Sequence, residues 1–268
     1  MTFPPDIVAV ANRLIASLDT VDSTNAEALR RARAGERGPL WIVARQQTAG
    51  RGRRGRAWVS APGNLYATLL LTDPAPASAA PQLGFVAGLA LHDAAMAVAP
   101  ALPQLALKWP NDMLCGGRKI AGILVEGEGA PLAVAIGIGV NCLHHPKATE
   151  FPATDFAAEG ADVAAEALFE RLAAAMPARL AQWDRGAGFA AIRAAWIERA
   201  HGLGRPVRVR LAEREATGVF EGIDPTGRLL LRLDNGGLEA IAAGEVFPLD
   251  RTSAQTAGLV PQGESLPR

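Results

Sequence analysis

The chain has 268 residues, 49% of them apolar, with 27 basic and 27 acidic side chains and so no net charge. This balance excludes a disordered chain and a generic nucleic-acid coat, which needs a basic surplus; the lack of any run of about 18 consecutive apolar residues excludes a membrane-spanning helix. The length fits one large domain plus a small one, at about 100–200 residues per domain.

Apolar spacing through Ile7, Val10, Ala11, Leu14 and Ile15 predicts a helix over 6–18. Asp22-Ser23-Thr24-Asn25 supplies capping oxygens for a second helix over 25–34, ended by Gly35. Residues 40–44 read as a buried strand. Residues 46–64 hold glycines, arginines and a proline without periodicity, and read as a long loop. A strand over 65–71 and an alanine-rich helix over 82–99 follow. Strands are predicted at 105–109, 119–128 and 132–140, with 110–118 a tight connection between the first two. A loop over 141–160 leads to helices near 161–183 and 187–200. From Gly202 the pattern changes to five short strands at 207–211, 216–223, 229–233, 238–242 and 246–249. Asp224-Pro225-Thr226-Gly227 and Asp234-Asn235-Gly236-Gly237 are turns between them. This spacing predicts a small closed barrel. The expected organisation is therefore residues 1–203, a barrel over 204–250, and a tail over 251–268 without a core pattern, read as disordered.

Cys115 and Cys142 are the only cysteines; they form no C-x-x-C pattern, and the N-terminus has no basic cluster before an apolar run. A cytoplasmic setting is the expectation. His92, His144, His145 and His201 lack carboxylates or cysteines at ligand spacing and read as loop histidines rather than a metal site.

Two stretches carry chemistry. Residues 46–58 place Arg51, Arg53, Arg54 and Arg56 within six positions, with no acid. Gly50, Gly52 and Gly55 match G-x-G-x-x-G formally, but a dinucleotide fingerprint needs a helix to open at the third glycine, and here Ser60, Pro62 and Gly63 lead into a strand. The alternatives are a glycine loop that brings guanidinium forks onto an anion and a solvated basic loop. The second stretch is 107–112 with 118–126. Only three of the 27 basic residues are lysines, and two of them, Lys108 and Lys119, stand in this hairpin. An ammonium is a compact charge able to follow a reacting carboxylate or phosphate. Asp112 would hold a metal-bound phosphate or orient a lysine; the bland alternative is a hairpin with solvated charges.

Taken together these residues resemble the biotin–protein ligase family. The similarity lies in D-S-T-N at 22–25, Q-T-A-G-R-G-R-R-G-R-x-W at 47–58, G-N-L-Y at 63–66 and K-W-P-N-D at 108–112. R-K-I-A-G-I-L-V-E at 118–126 and G-I-G-V-N at 137–141 complete six motifs in the family's order, and 218–229 with 244–246 resemble its C-terminal barrel. The resemblance implies an α+β fold: a mixed β-sheet flanked by helices, related to class II aminoacyl-tRNA synthetases, with a small C-terminal SH3-like barrel. It implies ATP and Mg2+ as cofactors and biotin as substrate, made into biotinyl-5′-AMP and passed to a lysine of a carboxylase carrier domain. By motif position, Ser23, Thr24, Asn25 and Gln47 face the biotin ureido end. Arg51, Gly52 and Arg53 close over biotin and the adenylate phosphate, and Gly122 leaves room for the biotin tail. Lys119 bridges biotin carboxylate and α-phosphate, with Arg51 and Arg53 beside it as catalytic residues. Arg53, Arg54, Arg56, Trp58, Lys108, Asn111, Asp112, Lys119 and Asn141 form the nucleotide side, with Asp112 as the metal candidate. A lipoate or octanoate ligase on the same scaffold and a non-catalytic biotin sensor are the alternatives. D-S-T-N begins at residue 22, after one short predicted helix, which is too little for a three-helix DNA reader. The enzyme-only form is therefore expected, without specific DNA binding, as a monomer or homodimer.

Overall fold

A computed structural model describes residues 7–10, 13–102 and 104–249. The tail expected over 251–268 lies outside the described residues. An eight-stranded mixed sheet runs in the order β1-β2-β3-β4-β8-β7-β6-β5. Its strands are β1 (Ile7–Val10), β2 (Arg13–Val21), β3 (Leu40–Gln47), β4 (Leu65–Thr72), β5 (Leu105–Lys108), β6 (Asp112–Cys115), β7 (Arg118–Glu128) and β8 (Ala133–Val140). Only β2 and β3 pair in parallel, with Leu14 opposite Leu40; the other ladders are antiparallel.

Helix α1 (Thr24–Arg33) covers one face of the sheet. Ala28 and Leu29 pack there with Ala16, Leu40, Ile42, Leu70 and Ala135. Helices α2 (Leu83–Val98), α3 (Ala165–Trp183) and α4 (Phe189–Ile197) build the larger core on the other face. Helix α2 is buried nearly all round, which its run of Leu, Ala and Gly permits.

The helix predicted over 6–18 is instead the β1–β2 hairpin. Strand β2 has apolar contacts on both faces: Leu14, Ala16 and Leu18 pack under α1, while Ile15 packs into the larger core. A strand covered on both sides shows apolar residues at both parities, and these imitate helical spacing. The predicted connection over 110–118 also contains a strand, β6, whose Met113, Leu114 and Cys115 are buried.

Beyond Gly202 the five predicted strands are present as β9 (Pro206–Arg210), β10 (Glu215–Ile223), β11 (Leu229–Arg232), β12 (Leu238–Ile241) and β13 (Glu245–Pro248). Their antiparallel order is β12-β11-β10-β9-β13, with a bulge at Phe220/Gly222. The β10–β11 turn keys this sheet to the larger body. The Gly227 carbonyl accepts a hydrogen bond from Trp109 Nε1 at 3.1 Å. Gly227 has φ +92°, and a Cβ there would stand 3.1 Å from Phe85, so the position requires glycine twice over.

Asp224 holds that turn. Its carboxylate accepts from the Thr226 backbone and hydroxyl and from the Arg228 backbone and guanidinium, at 2.6–2.9 Å. Burial opposes its charge, but these donors prevail and lower its pKa to about 2. Because the folded value lies below the unfolded one, this stabilisation is complete above the ordinary carboxylate range. It disappears as pH falls through about 2. Asp224→Asn is therefore expected to destabilise at neutral pH and to converge on the wild type in acid, as urea midpoints measured across pH will show.

Candidate functional site

The site begins at the N-terminus of α1. The Ser23 hydroxyl accepts from the Ala26 amide at 3.4 Å, so the cap sets Thr24 and Asn25 in the first turn, buried against the sheet. Gln47, at the end of β3, accepts at Oε1 from the Thr24 amide at 2.9 Å and from its hydroxyl at 3.2 Å. Asn25 Nδ2 donates to Glu126 at 2.8 Å, and the buried Thr68 hydroxyl donates to Asn25 Oδ1 at 2.7 Å. A compact wall of hydroxyls and amides results.

The basic loop leaves β3 at Gln47 and folds as a small hairpin. Gly52 N–H donates to the Arg56 carbonyl at 2.7 Å, and Trp58 N–H to the Gly50 carbonyl at 2.9 Å. No helix opens at Gly55; after a three-residue 3-10 turn the chain continues to β4, which rules out the dinucleotide fingerprint. Arg51 pairs with Glu126 at 3.1 Å. Arg53 Nη1 reaches the Gly244 carbonyl at 3.2 Å, and Arg56 pairs with Glu245. The five-stranded sheet thus grips the loop by its β12–β13 turn. Burial pushes the Arg53 pKa down, against the attraction of Asp112.

The β5–β6 and β6–β7 hairpins supply the charged floor. Asp112 starts β6 between two ammonium groups: Lys119 Nζ lies 2.6 Å from one carboxylate oxygen and Lys108 Nζ 3.4 Å from the other. Burial opposes ionisation of Asp112, but Lys119 and Lys108 outweigh it and hold its pKa below the ordinary value. Burial pushes the Lys108 pKa down, with Asp112 opposing that shift. Lys108 lies 4.1 Å above the Phe151 ring, and Lys119 5.4 Å from the Trp58 ring. Trp58 rests on glycines: a Cβ at Gly139 would come within 2.7 Å of the indole, and one at Gly122 within 3.1 Å. Asn141 donates from Nδ2 to the Thr154 carbonyl at 2.9 Å, and Asn111 to the Ile123 carbonyl at 2.6 Å.

One cleft of about 460 Å3 unites these groups. Ser23, Thr24, Asn25, Gln47, Arg51, Gly52, Arg53, Arg56, Trp58, Lys108, Asn111, Asp112, Lys119, Gly122 and Asn141 all line it. Arg54 does not. It is exposed at φ 56° in the loop's turn, and belongs to the loop's outer side. Asp112 is also not free as a metal ligand, since both its oxygens face lysines; the described residues contain no group of three or more His, Cys, Asp or Glu able to hold a metal.

Thr68 and Phe151 lie outside the motifs, and Glu126 and Glu245 lie inside quoted motifs without having been singled out. Thr68 had a signal: a hydroxyl inside the apolar strand Leu65–Thr72. Glu126 closes the quoted 118–126 motif. Glu245 stands in the quoted 244–246 motif, whereas Phe151 is placed by tertiary contacts alone.

A cleft with a neutral polar wall at one end and ammonium and guanidinium groups at the other suits an acid activated by a nucleotide. Residues 18–141 match the family model described as the biotin/lipoate A/B protein ligase family, and residues 202–247 match that of the biotin protein ligase C terminal domain. The biotin–[acetyl-CoA-carboxylase] ligase of Paracoccus denitrificans is 47% identical over 86% of this chain and 98% of its own. That of Mycobacterium tuberculosis is 37% identical over 85% of this chain and 86% of its own. The solved biotin protein ligase of Aquifex aeolicus, in complex with biotin and ATP, matches with a TM-score of 0.73 and 28% identity, covering 87% of this chain and 97% of that one. The chain belongs to the biotin protein ligase family.

Proposed function

We propose that the cleft joins biotin to a carrier lysine in two steps. In the first, the biotin carboxylate attacks the α-phosphorus of ATP, giving biotinyl-5′-AMP and pyrophosphate. In the second, the ε-amine of a carboxyl carrier domain attacks the acyl carbon, forming an amide and releasing AMP. The single observation that carries this reading is Lys119 Nζ, fixed 2.6 Å from Asp112 across one cleft from Thr24, Asn25 and Gln47.

Thr24, Asn25 and Gln47 receive the ureido ring, whose N–H and C=O groups need partners once buried. The tail passes beside Gly122, where a side chain would crowd both the Trp58 indole and Lys119. Lys119 meets both the carboxylate and the α-phosphate, where negative charge gathers in the transition state. Arg51 and Arg53 cover the phosphate and keep water from the mixed anhydride. Lys108, Arg56, Trp58, Asn111 and Asn141 serve the nucleotide. Among the described residues no group of three or more His, Cys, Asp or Glu could hold Mg2+; bound together with ATP, the cation would supply charge neutralisation at the phosphates.

Among the described residues no helix is long and apolar enough to cross a membrane. The buried thiols of Cys115 and Cys142 fit a cytoplasmic enzyme. Residues 7–10 and 13–21 form an edge hairpin of the sheet, so sequence-specific DNA binding is not proposed for this segment. The test is incubation with ATP, a biotin carrier domain and labelled biotin, lipoate or octanoate. Amide-linked label is expected from biotin alone. Preferential labelling from lipoate or octanoate would replace this reading with that of a lipoate-type ligase.

A further inference from the structure

A second cavity, of about 480 Å3, lies between the two sheets, behind Lys108. Lys108 lines both this cavity and the cleft, so one buried side chain lies between the two spaces, its ammonium held by Asp112 and Phe151 of the cleft. The other polar side chains of the lining are His201 and Arg205; Val207, Val246 and Pro248 form apolar walls. No acidic side chain among the described residues lines it. The location is built rather than loose. The His201 amide donates to the Leu107 carbonyl at 2.7 Å, and the Leu107 amide to the Arg199 carbonyl at 2.8 Å.

We propose that this cavity is a binding site for pyrophosphate, the leaving group of adenylate formation. The leaving-group role rests on the reading of the cleft given above. In that step the biotin carboxylate oxygen bonds to the α-phosphorus. The bond from that phosphorus to the α–β bridging oxygen breaks, and pyrophosphate departs with the electron pair. Lys108 stands on the boundary that the departing anion meets. No carboxylate lines the cavity itself; Asp112, which holds Lys108 at 3.4 Å, lines the cleft and not this cavity, so Arg205 is the unshared charge here, and the apolar walls strengthen its field on a compact polyanion. Burial and the nearby Lys108 push the His201 pKa down. The imidazole thus resists taking a second positive charge beside Lys108. Arg205 is exposed and its guanidinium has no ion-pair partner among the described residues, open to an incoming anion. A pyrophosphate held here would lie outside the cleft that the carrier lysine must enter.

The experiment is calorimetric titration of the full chain with inorganic pyrophosphate, in the wild type and in Arg205→Ala, Arg205→Lys and His201→Gln. Arg45→Ala serves as a control for general charge, since Arg45 is exposed and 3.9 Å from Asp19. Loss of a charge-assisted contact is expected to weaken binding about tenfold in Arg205→Ala. Arg205→Lys should recover part of this, His201→Gln should bind more weakly than wild type, and Arg45→Ala should be unchanged. Equal affinity in wild type, Arg205→Ala and His201→Gln would overturn the site, placing any bound pyrophosphate in the main cleft; so would no binding to the wild type. If Arg205→Ala does not fold, the lysine and glutamine variants decide alone. Arg205-dependent binding by a protein that forms no biotinyl-adenylate would keep the anion site and refute the reading of the cleft.

Discussion

Lys119→Ala is expected to slow biotinyl-adenylate formation by about 10²–10³-fold, the usual consequence of removing one preorganised group from developing oxyanion charge. The side chain is fixed by Asp112 at 2.6 Å and flanked by Trp58 and Gly122. It therefore needs no reorganisation when charge appears on the carboxylate and phosphate. Lys119→Arg is expected to rescue little. A planar fork cannot replace a point charge between an indole and a glycine floor that already fit closely. Single-turnover assays of bound adenylate separate this loss from any change in biotin affinity. A rate within a factor of about three of wild type, well short of that loss, would remove Lys119 from the chemistry.

Asp112→Asn is expected to be the most destabilising single change in the cleft. It leaves two ammonium groups facing each other with no counter-charge; Lys108 keeps only 8% of its side chain exposed. Removing one member of a buried pair costs about 3–5 kcal/mol, and the partial exposure of Lys119 places the result toward the lower figure. The pH dependence follows from the depressed Asp112 pKa. The stabilisation is complete above the ordinary carboxylate range and disappears as pH falls through the lowered value, so the gap between variant and wild type narrows in acid. Lys108→Met combined with Asp112→Asn should recover stability, because one unpaired charge then goes as well. Urea unfolding gives both values. A loss below about 1 kcal/mol, typical of a surface ion pair, would show that the cluster is solvated.

The motifs gave the cleft because they are local. D-S-T-N is an N-cap with the next two residues of a helix, and the 108–112 and 118–126 stretches are neighbouring hairpin strands, so residues close in the chain are also close in space. Composition contributed too: scarce lysines pointed to Lys108 and Lys119, which share one carboxylate. Residues 7–10 and 13–21 form strands where the apolar spacing predicts a helix, because β2 is covered on both faces and the apolar pattern alone does not separate that case from a helix. Arg54 was placed in the cleft by its company, yet a left-handed turn carries it outward between Arg53 and Arg56, which point inward. Gly244 and Glu245 stand in a quoted motif, but their grip on the loop spans about 190 positions of chain, and a local pattern does not show which distant segment they hold.

The zero net charge conceals both basic clusters, the arginine loop and the paired lysines, and the described structure brings them to one cleft. The account stands or falls on what that cleft makes. The direct measurement is to mix the protein with ATP and biotin, without carrier, and analyse the bound small molecules by mass spectrometry. Biotinyl-5′-AMP retained by the wild type, with pyrophosphate released, and absent from Lys119→Ala, is the predicted result. ATP and biotin recovered unreacted from the wild type, or adenylate formed equally well by Lys119→Ala, would contradict it.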